Sequence, residues 1–406
     1  MVTKGNSEIL MKRRSLILGA STIALSQLAS GCNIGQQASL KVRLLQNSIP
    51  VQLLGEFRKT LTLRAKLNFD PEKQLSALFK LLTTLKEQGK PNNNQDRSFL
   101  DLIRIRSRTP ISPDLVTLGD YWLKSAIEQE LIQPLNIETL PGWKQLPPEY
   151  QKLVKRDQTG QLDNSGKVWG APYRWGATVI AYRRDKFKAL GWTPTDWSDL
   201  WRESLRDRIS VLNHPREVIG LTLKNLGLSY NQQDLNQVKD LKPALRQLAK
   251  QVKFYSSDHY LKPLVLGDTW VAVGWSTDIL ALRTRDRQIE AVVPQSGTAL
   301  WSDVWVKPVS VSSASDSSES NSESDLSKKW IEFCWDSKSA KQISLLTNAA
   351  SPILLKIPRN KLPQDIQTLP LLLPEAEILN KCEFLHPLPE STQKQYESLW
   401  KEMRNT

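Results

Sequence analysis

Ser257-Asp258-His259 places the three residue types of a hydrolytic triad side by side, and that adjacency disqualifies them. A nucleophile, its base and the orienting acid must converge from different directions, which contiguous residues on one backbone do not do. Ser257-Asp258 ahead of an apolar run reads instead as a helix cap. The other two histidines, His214 and His386, stand alone in the sequence. No HExxH or CxxC spacing occurs, so no metal site is expected. GxGxxG, GxxxxGKS/T and GxSxG are also missing, which removes the usual nucleotide cradles and the nucleophile elbow. The expectation is a protein that is not an enzyme and carries no cofactor. What the chain has in excess is tryptophan, with fourteen. Indoles fill cores, and they also line pockets that stack on flat ligands or hold a cation against the ring face.

Cys32 is the other residue whose position implies chemistry. Lys12-Arg13-Arg14 precedes about 15 mostly apolar residues, then Ala29, Ser30 and Gly31 lead into the cysteine. That layout is a secretory signal peptide, too short for a stable transmembrane helix. Leu28 and the small residues before Cys32 resemble a bacterial lipobox. Cleavage there leaves the Cys32 sulfur to carry lipid, with the protein periplasmic or otherwise extracytoplasmic and tethered to a membrane. An uncleaved anchor, or an ordinary cleavage site beside an incidental cysteine, are the alternatives. Arg13-Arg14 before Ser-Leu-Ile also resembles a twin-arginine signal. Twin-arginine and general export both stay open, as do Met1 and Met11 as the start.

The body beyond residue 32 has about 370 residues, too many for one ordinary core and suited to two lobes. The formal charge is +13; removing residues 1–31 takes away four basic residues and one acidic residue, leaving +10. The basic residues are scattered, without a Lys/Arg block or an RNP-type aromatic run, so nucleic acid is not expected as a partner. Cys334 and Cys382 could pair in an oxidising compartment, or Cys334 could be a buried helical thiol; the sequence leaves both open.

Short strands alternate with helices throughout. Lys41–Leu45, Asp114–Leu118, 168–182, 291–294 and 300–306 read as strands. Asp70 as N-cap with Pro71 in the first turn predicts a helix over 70–86. Further helices are expected at 196–205, 215–226, 234–251, 258–266 and 276–285, with a closing helix around Tyr396, Leu399, Trp400 and Met403. Ser310–Ser327 is a low-complexity insertion. This order predicts an α/β protein with mixed sheets.

Five segments, in order, resemble the spermidine/putrescine-binding proteins of bacterial ABC importers: GAPYRWGATVIAY, LNHPREVIGLTLKNLGLS, YSSDHY, GDTWVAVGWSTD and LWSDVWVKP. The resemblance runs over roughly residues 40–400. It implies a type II-like periplasmic-binding-protein fold of two lobes joined by a hinge. Lobe one would comprise 40–178 and 300–347, lobe two 179–299 and 348–406, after a tether at 33–39. The ligand would be caught between them. A polyamine carries ammonium groups along a methylene chain, so it needs spaced carboxylates and aromatic faces. By this resemblance Trp301 and Asp303 supply an aromatic and a carboxylate. Trp275 is a second wall, Glu217 a terminal carboxylate, Ser257 a hydroxyl and Tyr121 an aromatic from the first lobe.

The sequence departs from the family at several of these places. His214 stands where the family has an acid, and Leu45 and Ser48 replace aromatics near the N-terminus; the family's C-terminal amide falls near His386. Two carboxylates instead of three favour a shorter or less charged amine than spermidine. The implied protein is a monomeric, lipid-anchored subunit that delivers its ligand to a membrane permease and its ATPase. The same fold holding an amino-acid derivative, a sugar or an anion, or serving as a sensory lipoprotein, is the alternative.

Overall fold

The structure is a computed structural model that describes residues 38–62, 64–88, 112–309 and 325–405. The signal segment with Cys32, the start of the tether and most of the Ser-rich insertion lie outside the described residues. The strands in chain order are β1 (Ser39–Leu45), β2 (Lys66–Glu72), β3 (Leu115–Gly119), β4 (Ile132–Gln133), β5 (Lys155–Arg156) and β6 (Lys167–Val168). They continue as β7 (Ala171–Arg183), β8 (Ile209–Val211), β9 (Val252–Tyr255), β10 (Val271–Trp275), β11 (Ile289–Val292), β12 (Ala299–Pro308) and β13 (Glu383–Phe384). All but β5 and β6 join one mixed sheet, whose main path runs β2-β1-β3-β12-β7-β10-β8-β9. β12 is antiparallel to β3 and β7, whereas β1 is parallel to β2 and β3. The mixed α/β class expected from the sequence is the one observed.

β7 organises the molecule. Its first eleven residues are all buried, and such an unbroken run belongs to a strand covered on both faces. Its first part pairs with β12, ending at Leu300 opposite Ala177. Its second part pairs with β10, starting at Trp275 opposite Thr178, and also with β11. Pro172 lacks an N–H for the ladder, and it sits beside the register shift between Asp303 and Val304. Bulges are where interior strands accommodate proline.

One large core gathers β1, β3, β12 and the helices Val51–Thr60, Leu75–Gln88 and Leu326–Trp335. A second collects Ile180, Val211, Ile219, Leu245 and the closing helix residues Tyr396, Leu399 and Met403. The segment after residue 348 divides between the two. Ala350, Ile353, Leu354, Leu362, Ile366 and Leu371–Leu373 pack into the first core, and only Leu385 onward joins the second.

Several local expectations give way to tertiary structure. Residues 66–72 pair residue for residue with β1 as an edge strand, so Asp70 and Pro71 are extended and the helix begins at Leu75. An edge strand tolerates Pro71 because its missing donor would have faced away from the ladder. The stretch 196–205 is two 3-10 turns, Trp197–Trp201 and Glu203–Leu205, separated by an extended Arg202. The stretch 234–251 likewise breaks into a 3-10 turn at Leu235–Gln237 and a helix at Leu241–Gln251. Ser257 and Asp258 do not cap the next helix, which spans Leu261–Leu266. Ser256 Oγ takes the His259 N–H at 2.9 Å instead, while Asp258 accepts from Gln74 Nε2 at 3.1 Å. Cys334 and Cys382 are free thiols, the first fully buried. No helix among the described residues is long and apolar enough to cross a membrane.

Candidate functional site

The change of partner along β7, at Ala177 and Thr178, brings the sequence-derived candidates together. Directly opposed residues of neighbouring strands share a face. Asp303 lies opposite Arg174, Trp301 opposite Gly176, and Trp275 opposite Thr178. Arg174, Gly176, Thr178, Trp275, Trp301 and Asp303 thus form one surface. Gly176 is there because the Trp301 indole lies flat against its backbone. A Cβ at 176 would stand 2.3 Å from Trp301 Cζ2 and 2.7 Å from Ser276 Oγ. Trp301 keeps some exposure, yet its Nε1 is buried without a partner.

Asp303 is not a free carboxylate. Arg174 Nε and Nη2 both donate to its Oδ2, at 2.7 and 2.6 Å, and both side chains are buried. Burial pushes the Asp303 carboxyl up while Arg174 pulls it back. Burial also disfavours the charged guanidinium, but Asp303 holds Arg174 protonated. The guanidinium carbon lies 6.0 Å from the centre of the Trp301 ring. The sequence reading passed over Arg174, although it lies within the motif Pro-Tyr-Arg-Trp-Gly.

Glu217 has a different environment. Pro215 at the first turn starts the helix Pro215–Asn225 and sets Glu217 on its inner face, 4% exposed. Its carboxylate accepts the Thr178 hydroxyl at 2.9 Å and a hydrogen bond from Trp275. Burial pushes this carboxyl up to about 7. The neighbouring Arg216 is directed elsewhere, to the carbonyls of His386 and Tyr230 and to Asn231 Oδ1. No ion pair to Glu217 is formed among the described residues.

His214 precedes the same helix, and its ring meets Tyr121 edge-on, with centroids 5.0 Å apart. Burial, reinforced by Arg216, lowers the His214 imidazole to about 4, so the ring is neutral at ordinary pH. Its Nδ1 is buried without a partner. Tyr121 follows β3 directly and remains half-exposed. Ser257 is half-buried in the turn after β9, and no hydrogen bond or ring contact joins it to the others among the described residues.

Two further acids stand beside this surface. Asp120, 2% exposed, accepts the Ser302 N–H at 2.8 Å. Burial lifts its carboxyl to about 7, opposed by that hydrogen bond and by Arg156. Its position between Gly119 and Tyr121 was the only sequence signal. Asp278 accepts the Tyr260 hydroxyl at 3.0 Å, and the same hydroxyl oxygen accepts the Trp275 N–H at 3.1 Å. Asp278 is reached by solvent yet enclosed by neighbours, and that partial desolvation raises its carboxyl while Tyr260 and Arg174 oppose. On the other side of Asp120 and Tyr121 is a cavity of about 210 Å³, bounded by Arg156, Arg216, His386 and Tyr396. The arrangement sets a buried acid, Glu217, against the Trp275 indole.

Known proteins share both sequence and architecture with this chain. A putrescine/cadaverine-binding protein of Pseudomonas aeruginosa is 26% identical over 264 residues, 62% of this chain and 71% of its own. The spermidine/putrescine-binding periplasmic protein of Escherichia coli is 24% identical over 271 residues, 67% of this chain and 72% of its own. The crystal structure of the spermidine/putrescine ABC transporter substrate-binding protein PotD from Streptococcus pneumoniae superposes with a TM-score of 0.71 at 19% identity. It covers 91% of this chain and 100% of that one. Maltose-bound MalE3 of T. maritima superposes with a TM-score of 0.64 at 12% identity, over 90% and 94% of the two chains. At these identities the structural likeness shows a shared fold, that of periplasmic binding proteins. The sequence profile of the bacterial extracellular solute-binding proteins matches residues 111–381, and the chain belongs to that family.

Proposed function

We propose that this solute-binding protein captures a small organic amine in the site around Glu217 and delivers it to the membrane permease of an ABC importer. The observation that carries the reading is Glu217 itself: a buried carboxylate, between Thr178 and Trp275, with no cation in contact. A desolvated anion in that state favours a cation from solution, and the faces of Trp275 and Trp301 add attraction to an ammonium and cover its methylenes. The relatives named for putrescine, cadaverine and spermidine support the same ligand class. Hinge closure about the β7 changeover would present two lobes to the permease, with Tyr121 and His214 meeting across the mouth. Lipid on Cys32 would hold the protein beside that permease.

Thermal-shift screening of the protein against putrescine, cadaverine, spermidine, amino acids and sugars tests this reading. Amines are expected to raise the melting temperature, and Glu217→Gln to remove the rise while the variant still melts cooperatively. A sugar or amino-acid hit without any amine response would refute the amine assignment.

A further inference from the structure

The charge balance of the site limits which of its acids a ligand ammonium can meet. Four acids surround the Trp301 and Trp275 faces: Asp120, Glu217, Asp278 and Asp303. Each has a different counterpart. Asp303 holds two hydrogen bonds from Arg174, on directly opposed residues of adjacent strands. Asp278 is engaged by the Tyr260 hydroxyl and lies in the field of the same guanidinium. Asp120 accepts the Ser302 N–H and lies in the field of Arg156, which donates to the Asp120 carbonyl at 3.3 Å. Glu217 accepts from the neutral Thr178 and Trp275, so among the described residues Asp303 is the acid of the four with a guanidinium on its carboxylate.

Arg174 therefore occupies the place that a second ammonium would take. It reaches the Asp303 carboxylate, sits 6.0 Å from the Trp301 ring centre, and is covered by protein on all sides. A guanidinium is charged at every physiological pH and donates in a fixed fork, so a ligand ammonium does not displace it from a two-bond contact. We infer that Arg174 is a built-in surrogate cation, which removes Asp303 from the acids that a ligand ammonium can pair with. This deepens the amine reading above and rests on it. Residue 174 is then the specificity-determining position, since its side chain decides whether Asp303 is available to a second charge.

The test compares 1-butylamine, putrescine and spermidine, which carry one, two and three ammonium groups, by calorimetric titration of the full-length protein at pH 8. The wild-type ratios of putrescine and spermidine affinity to butylamine affinity set the reference. In Arg174→Leu, Asp303 is released, and putrescine and spermidine should gain roughly tenfold or more over butylamine, the worth of one charge-assisted hydrogen bond. Arg174→Gln serves as a second variant should the leucine protein fail to fold; it keeps a polar donor for Asp303 without the charge. Folded variants whose ratios equal those of wild type would overturn the inference. That result does not harm the amine assignment. If none of the three amines binds wild type or variants, the amine assignment itself falls.

Discussion

Burial raises the Glu217 and Asp120 carboxyls to about 7, which makes these two side chains destabilising as pH rises. In the unfolded chain such groups titrate near 4 to 4.5. A folded-state value above the unfolded one means that the neutral acid is the better tolerated form inside the protein. Its contribution to stability is complete below the unfolded value and is lost as pH climbs through the folded one. Ligand-free protein should therefore melt at a lower temperature at pH 8 than at pH 5, with part of that fall absent in Glu217→Gln. Each unit of displacement corresponds to about 1.4 kcal/mol, so between pH 5 and pH 8 the two acids lose on the order of 5 kcal/mol. Buried neutral His214 offsets about 2 kcal/mol of that loss as pH rises to its unfolded value. Amine-induced stabilisation should run the opposite way and be larger at pH 8, where Glu217 is ionised; calorimetric melting with and without putrescine reads both. Asp303 behaves differently because its partner is already in place. Asp303→Ala leaves the Arg174 guanidinium buried and unpaired, which should cost about 3–5 kcal/mol in denaturant unfolding.

At the scale of elements, β7 and β12 act as a matched pair whose register assembles the site. The side chains at 174, 176, 301 and 303 face one another because the strands pair antiparallel from Leu300 to Asp303. The flat seat of Trp301 depends on the missing side chain at 176. Gly176→Ala should force the indole or Ser276 to move, with a loss of about 1–3 kcal/mol typical of an overpacked interior. Ligand-dependent tryptophan fluorescence should fall away in that variant at temperatures where circular dichroism still shows a native fold; an unchanged fluorescence titration would remove Trp301 from the site. Much of this was legible beforehand. The glycine-punctuated stretch 168–182 around β7 and the Trp-Ser-Asp of β12 were readable as strands, whereas the stretch 70–86 misled. Asp-Pro followed by leucines every three or four residues carries a helical signal locally. The hydrogen-bond ladder offered by β1 outweighs it for the first three residues.

For the whole molecule, the address and the binding body are separable. Residues 38–405, where described, form one compact unit. Binding should survive removal of residues 1–37, whereas attachment should not survive Cys32→Ser. In cells fed labelled palmitate, the wild-type protein should take up label and sediment with membranes. The Cys32→Ser variant should do neither, and equal labelling of the two would refute the lipid anchor. The overall charge of +13 does not draw a cation in over long range, so the proposed amine capture would depend on the pocket acids. This separation also explains why an export segment says nothing about the ligand.

Residue order along the chain was enough to expect an export segment and to read strands alternating with helices, the lack of catalytic and metal spacings, and a set of indoles and acids in a family pattern. These are local features, carried by periodicity and neighbouring residue types. Whether an acid was free to meet a ligand was not among them. Asp303 and Arg174 are 129 positions apart, yet the register of two strands sets them face to face and closes that carboxylate. Glu217 and Thr178 are 39 apart, and their contact leaves an anion buried with only neutral partners. Charge compensation depends on distances of a few ångströms and on the exclusion of water, and both arise only when distant segments pack together.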